Sequence, residues 1–180
     1  SDVCSSDLVA MSIPVAHLVS HASDLGHAPA RGAEMLAVAL LTAATVSLVG
    51  GTLVVDRVGG LVALLGFSTL QATALGLFAV TEGLTALYAV AVVFGLGYGG
   101  VNMCYPVLVR EYLPPAESGR RLGIVTLFGA LGMAVGGGLA GYLFDVNGSY
   151  FAAFAVGLVC NVANLAIVVA LLKRRVRPGP

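Results

Sequence analysis

Charge is what this sequence has least of. Only 10% of its 180 residues are Asp, Glu, Lys or Arg, against roughly 25% in soluble domains, while 58% are hydrophobic. A chain so poor in charge cannot cover a surface exposed to water, which excludes an ordinary soluble domain. Tryptophan is absent, and cysteine is limited to Cys4, Cys104 and Cys160. Three thiols make no disulfide framework and read as small apolar packing residues. No basic excess exists either, since Lys+Arg and Asp+Glu number nine each, so the totals give no footing for nucleic acid. Glycine is what is abundant, with 24 residues set inside apolar runs and no three-residue period. That pattern excludes collagen-like and disordered chains and, with a mean hydropathy of +0.98, places the chain in a lipid bilayer.

Dividing the sequence at its charged residues leaves uncharged stretches from Met35 to Val55, Val58 to Thr81, Gly83 to Val109, Leu122 to Phe144 and Val146 to Leu172. About 20 helical residues cross the ~30 Å hydrocarbon core, where every backbone amide must be paired, so each stretch predicts a membrane helix. A sixth stretch, Leu8 to Ser23, is shorter and carries Ser12, Pro14, His17, Ser20 and His21. It must also cross if the later helices are to alternate consistently. The expectation is an all-α membrane protein with helices over about residues 9–25, 34–56, 59–81, 84–112, 120–144 and 150–172. Residues 1–8 (SDVCSSDL), polar and unlike the apolar run after them, read as an artefactual or disordered leader, and residues 173–180 as a basic tail. Six crossings put Arg57, Arg110, Arg120, Arg121, Lys173, Arg174, Arg175 and Arg177 on one side and Arg31 alone on the other. Because basic loops stay cytoplasmic, the carboxyl terminus is expected in the cytoplasm, with Asp24 to Glu34, Glu82 and Asp145 facing outward.

Six helices divide as three plus three. An odd number per unit makes the second unit run opposite to the first, giving a 3+3 inverted repeat of the kind found within each half of some transporters. The stretch Thr52-Leu53-Val54-Val55-Asp56-Arg57-Val58-Gly59-Gly60 resembles the major facilitator superfamily loop pattern Gly-x-x-x-Asp-Arg-x-Gly-Arg-Arg. Asp56, Arg57 and Gly59 match, whereas Thr52 replaces the first Gly, and Gly60, Leu61 and Val62 stand where basic residues are usual. Two further stretches carry more weight. One is Phe94 to Gly100 continuing to Tyr105-Pro106 and Arg110-Glu111-Tyr112; the other is Gly141 to Asp145 continuing through Gly148-Ser149-Tyr150 to Phe154. Together with Ile13-Pro14 and His17, they resemble the carboxyl-terminal half of a monocarboxylate or oxalate/formate-type porter of that superfamily. The resemblance implies half of a twelve-helix fold, the helices here being the seventh to twelfth, with an amino-terminal six-helix half as missing partner. It also implies a small-molecule substrate moved by alternating access, no cofactor, and residence in the plasma (inner) membrane.

Intramembrane polar residues are the candidates for a site. His17 and His21 are four apart and share a helix face. A histidine there can hold a carboxylate or relay a coupling proton, since its ordinary pKa lies near 6.5, or else simply hydrogen-bond a neighbouring helix. Asn102 and Tyr105, three apart after the Gly95, Gly97, Gly99 and Gly100 series and before Pro106, offer an amide and a hydroxyl to a polar substrate. The glycines serve either bending or close packing. Gly132 with Gly136, and Gly137 with Gly141, have the small-xxx-small spacing of close helix contacts. Gln71, Asn161 and Asn164 fall on helices peripheral in the resembled family and read mainly as structural. The resembled oxalate/formate-type porters hold their substrate's carboxylates with buried cationic residues, but Met35 to Val55 and Leu122 to Phe144 contain no Lys or Arg; unless the missing half supplies the charge, this disfavours a dianion such as oxalate and fits a monoanion moved with a proton, or a neutral substrate. Asp56, Arg57, Arg110 and Glu111 form a candidate conformational latch, in which the resemblance has Asp56 accept hydrogen bonds from the amino-terminal end of the eleventh helix.

Catalytic and metal sites are not expected. Gly66-Phe67-Ser68-Thr69 lacks the final Gly of a rhomboid-type serine setting, and His-Glu-x-x-His spacing is absent. The alternative to a transporter half is a free-standing six-helix membrane protein that pairs with itself as a pore or scaffold.

Overall fold

The computed structural model describes residues 2–112 and 115–176. In chain order it contains α1 (Asp2–Asp24), α2 (Pro29–Gly50), a π-helical turn (Gly51–Val55), α3 (Asp56–Val58), α4 (Gly60–Val80), α5 (Leu84–Tyr112), α6 (Pro115–Asn147) and α7 (Phe151–Val176), and no strand among the described residues. Five segments are long and apolar enough to cross a membrane: Pro29–Gly50, Gly60–Val80, Leu84–Glu111, Leu122–Asn147 and Phe151–Lys173. Helix α1 is 23 residues long. It packs inside the bundle, against α2, α6 and α7.

Helix ends differ from those read off the charge pattern. Helix α1 starts at Asp2, so residues 2–8 are its first turns; Ser1 lies outside the described residues, as do 177–180 of the basic tail and Leu113 and Pro114. Helices α2 and α6 begin earlier, at Pro29 and Pro115, because proline suits the first helical position, where its missing N–H is not needed. Arg31, Glu34 and Arg120 are exposed and lie near those helix starts, so they limit the apolar run without breaking the helix.

Two glycines fix the chain reversals that matter most here. Gly26 has φ 82° and ends α1 with Gly26 N–H donating to Ser23 O (3.0 Å) and His27 N–H to Ala22 O (3.0 Å), the paired bonds of a Schellman stop. Gly59, with φ 84° and ψ 154°, turns the chain from α3 into α4 in a conformation that an L side chain would resist. This gives a physical reason for glycine at the fourth place of Asp56-Arg57-Val58-Gly59.

The packing has a regular pattern. Helix α5 lies between α2 and α4; α1 lies between α6 and α7; and α4 packs on α7. Exchanging α1 with α5, α2 with α6 and α4 with α7 turns the α1–α6 contact into α5–α2 and the α1–α7 contact into α5–α4. The same exchange returns α4–α7 to itself. Both α1 and α5 contain an internal proline, Pro14 and Pro106.

Small residues make the two corresponding crossings close. A methyl group at Gly95 or Gly99 would strike the carbonyl oxygen of Ala39 or Ala43, and one at Gly136 would strike Ser12 Oγ and the Val9 backbone. Lipid tails are as apolar as leucine, so such close approach, through dispersion, does much of what burial from water does in a soluble core. Larger side chains gather in two clusters. Phe78, Phe94 and Phe154 lie with Met35 and Leu87 toward the end that carries Glu34 and Glu82. Leu61, Leu64, Val101 and Val168 lie with Met11 toward the end that carries Arg57 and Arg110.

Candidate functional site

An open groove of about 230 Å³ runs between the start of α1, the second half of α5 and the first half of α6, lined by Leu8, Asn102, Tyr105, Pro106, Leu122, Val125, Thr126, Gly129, Ala130 and Met133. Asn102 and Tyr105, the pair three apart on α5, thus lie on one wall, and Thr126 adds a hydroxyl from the facing helix. Among the described residues no charged side chain lines the groove.

Local helix chemistry decides what this wall offers. Asn102 Nδ2 donates to the Tyr98 carbonyl one turn back at 3.0 Å, leaving its Oδ1 and second N–H for a ligand. Pro106 has no N–H, so the main-chain carbonyl of Asn102, four residues earlier, lacks its ordinary helical donor. Tyr105 is half-buried and takes part in polar contacts of its own.

The histidines lie elsewhere. His17 Nε2 is 2.9 Å from Gly137 O on α6, and its ring stands 5.3 Å from that of Tyr150. His21 is buried, with ring centroids 4.9 Å from Phe154 and 6.0 Å from Tyr150. The two rings do share a face, which meets α6 and the start of α7 rather than the groove. Tyr150, in contact with both rings and stacked on Phe144 at 4.4 Å, is the residue that the sequence reading missed. Its place just before α7 gives no helical spacing from which its partners on α1 could be read.

At the end carrying Arg57 and Arg110, Asp56, Arg57, Arg110 and Glu111 are all exposed. A side-chain carbon at Gly60 would lie 3.1 Å from Glu111 Oε2, so that carboxylate sits beside the first residue of α4, where unpaired amides and the helix dipole favour a negative charge. Asp56 and Arg57 make no ion pair among the described residues. The side chains at the very start of α6, the partner expected for Asp56, lie outside the described set. At the opposite end Arg31 Nη1 donates to Glu34 Oε2 at 2.8 Å, and the Tyr88 hydroxyl donates to the same oxygen, tying α2 to α5. His27 Nε2 is 2.9 Å from Glu82 O and ties the α1–α2 turn to the α4–α5 turn. No group of three or more His, Cys, Asp or Glu that could hold a metal occurs among the described residues.

Comparison with known proteins places these features in context. The sequence model described as Major Facilitator Superfamily matches residues 3–180. The chain is 33% identical over 161 residues to monocarboxylate transporter 13 of Rattus norvegicus, covering 88% of this chain and 37% of that protein. Monocarboxylate transporter 13 of Bos taurus is 32% identical over 161 residues, with 88% and 38% covered. A vacuolar membrane amino acid uptake transporter of Schizosaccharomyces pombe is 32% identical over 87 residues, or 48% of this chain and 14% of that protein. The chain therefore spans well under half the length of each.

Proposed function

The chain belongs to the major facilitator superfamily, and from that premise we propose that it is the carboxyl-terminal six-helix half of a proton-coupled transporter for small monocarboxylates. It is a multi-pass membrane protein of a transporter family, not an enzyme, and it is distantly related to monocarboxylate transporters. The finer reading rests chiefly on one observation: the open groove in which Asn102, Tyr105 and Thr126 converge, with no charged side chain among the described residues that line it.

The packing pattern supports a 3+3 inverted repeat, with α1 to α4 as one unit and α5 to α7 as the other, and with α1 counted as a sixth crossing. Helices α2 and α6 correspond under that exchange, and both leave large apolar side chains uncovered, among them Leu41, Leu48, Leu127 and Val135. These faces, on either side of the α1 and α5 pair, are where an amino-terminal half would dock. A solute between the halves would then meet Asn102 and Tyr105 near the midplane.

Asn102 and Tyr105 are the proposed substrate contacts. His17 is the proposed proton carrier: with Nε2 engaged by Gly137 O, its Nδ1 is the atom left to gain or lose a proton. His21 holds the same α1 face against α7. The neutral lining among the described residues favours a substrate whose carboxylate finds its counter-charge in the other half, while its hydrocarbon part rests on Met133, Val125 and Leu122. Asp56, Arg57, Arg110 and Glu111 form the latch on the cytoplasmic side, Glu111 by facing the start of α4. The basic residues of that side support a cytoplasmic carboxyl terminus in the plasma membrane. Uptake of a radiolabelled short-chain monocarboxylate by the full-length protein in proteoliposomes tests this reading. Acid-stimulated uptake that Asn102→Leu weakens is the expected result, and wild-type uptake of no monocarboxylate at any pH would overturn it.

A further inference from the structure

Between the two apolar clusters, α4 and α7 meet through a belt of neutral polar side chains. Ser68 and Gln71 on α4, and Asn161 and Asn164 on α7, are all fully buried, each at 0% exposure. The helices run antiparallel at this seam, since Phe78 stacks on Phe154 at 5.6 Å while Ser68 Oγ accepts from Asn164 Nδ2 at 3.4 Å. Gln71 and Asn161 thus fall one turn further along the same seam, toward the phenylalanine pair. All four positions lie near the middle of the spans Gly60–Val80 and Phe151–Lys173, hence near the bilayer midplane.

The four are related by the exchange of α4 with α7. Ser68 and Asn161, and Gln71 and Asn164, are separated by one common sequence offset, which is also that of Ala39 to Gly132 and Ala43 to Gly136 on the exchanged pair α2 and α6. Each unit therefore brings one polar i, i+3 pair to the seam. Asn164 Oδ1 is buried without a hydrogen-bond partner. In lipid such an acceptor is costly to leave bare.

We infer that this seam encloses a bound water molecule, which donates a hydrogen bond to Asn164 Oδ1. Water is the guest that the chemistry favours over a cation. The seam has amide and hydroxyl groups and no carboxylate, so a cation would be buried with no counter-charge. A buried acceptor that no protein group satisfies is where ordered water is held. The inference concerns the α4–α7 seam and is independent of the substrate and the coupling ion.

A high-resolution structure of the full-length protein in nanodiscs, determined in sodium buffer and again in potassium buffer, tests it. One ordered solvent peak at roughly 2.7–3.2 Å from Asn164 Oδ1, the same in both buffers, is expected. A peak with short contacts of about 2.4 Å, seen only in sodium, or Asn164 Oδ1 bonded to a protein donor with no peak, would overturn it. Thermal melting gives a second readout: Asn164→Leu should lower Tm by several degrees, because the water and Ser68 lose a partner. The double variant Ser68→Ala with Asn164→Leu should recover much of the loss, since that layer then holds neither polar group. A single variant that melts like wild type, or a double variant that adds a further loss, would contradict the inference.

Discussion

One proline alters what Asn102 can offer a ligand. With Pro106 four residues on, the carbonyl of Asn102 is deprived of its helical donor, and the side-chain Oδ1 stands on the same groove wall. Asn102→Leu removes only the side-chain part. The expected effect is a rise in KM for monocarboxylate of about tenfold, the size of one lost neutral hydrogen bond, with kcat little changed; uptake kinetics in proteoliposomes measure it. His17 makes a different claim. His17→Gln keeps a donor for Gly137 O but cannot carry a proton, so uptake should persist with its acid stimulation lost. An unchanged pH profile would remove His17 from the coupling path. The Asn102 and Tyr105 pair was legible in the sequence because both lie on one helix at one spacing. The partners of the histidines were not, because Tyr150 and Gly137 reach them from other helices and no periodicity within α1 encodes that.

At the scale of the element, the glycines of α5 and α6 serve contact. Gly99 meets the Ala43 carbonyl and Gly136 meets Ser12 and Val9, so added methyl groups must push whole helices apart. Gly99→Val and Gly136→Val should each destabilise by on the order of 1–3 kcal/mol or more, seen as a lower Tm in detergent. Gly138→Ala is the control: it is exposed, with nothing within 4 Å of an added carbon, and should leave Tm unchanged or slightly raised. Equal losses at all three would refute the packing assignment. The Gly132/Gly136 spacing was readable as a close contact, whereas the Gly95 to Gly100 run was equally readable as a hinge until the carbonyls of α2 came into view. The latch belongs to this scale too. Asp56→Asn and Glu111→Gln should each shift the balance between outward-open and inward-open states, which accessibility of a single engineered cysteine at the end carrying Arg57 and Arg110 reports. Unchanged labelling in both variants would remove the latch. The five long uncharged runs gave the spans directly, but helix ends did not follow them, because charge limits the hydrocarbon-crossing part of a helix and not the helix itself.

For the whole molecule, the pairing of helices is the central feature. Counting crossings suggests an odd number per unit; it does not say that α1 rests on α6 as α5 rests on α2, which is a property of side-chain fit between segments distant in sequence. That pairing gathers α1 and α5 at the middle of one face, leaves the apolar sides of α2 and α6 uncovered beside them, and opens a groove whose described lining has neutral polar groups and no cation. In the proposed function such a face is one half of a transport path. The chain spans 37% of the rat monocarboxylate transporter it matches, which leaves ample length there for a second bundle. The most direct test is uptake of a radiolabelled monocarboxylate into proteoliposomes that contain this chain alone, or this chain co-expressed with the amino-terminal half of its full-length protein. Uptake only when both halves are present is the predicted result, and equal uptake by this chain alone would contradict it.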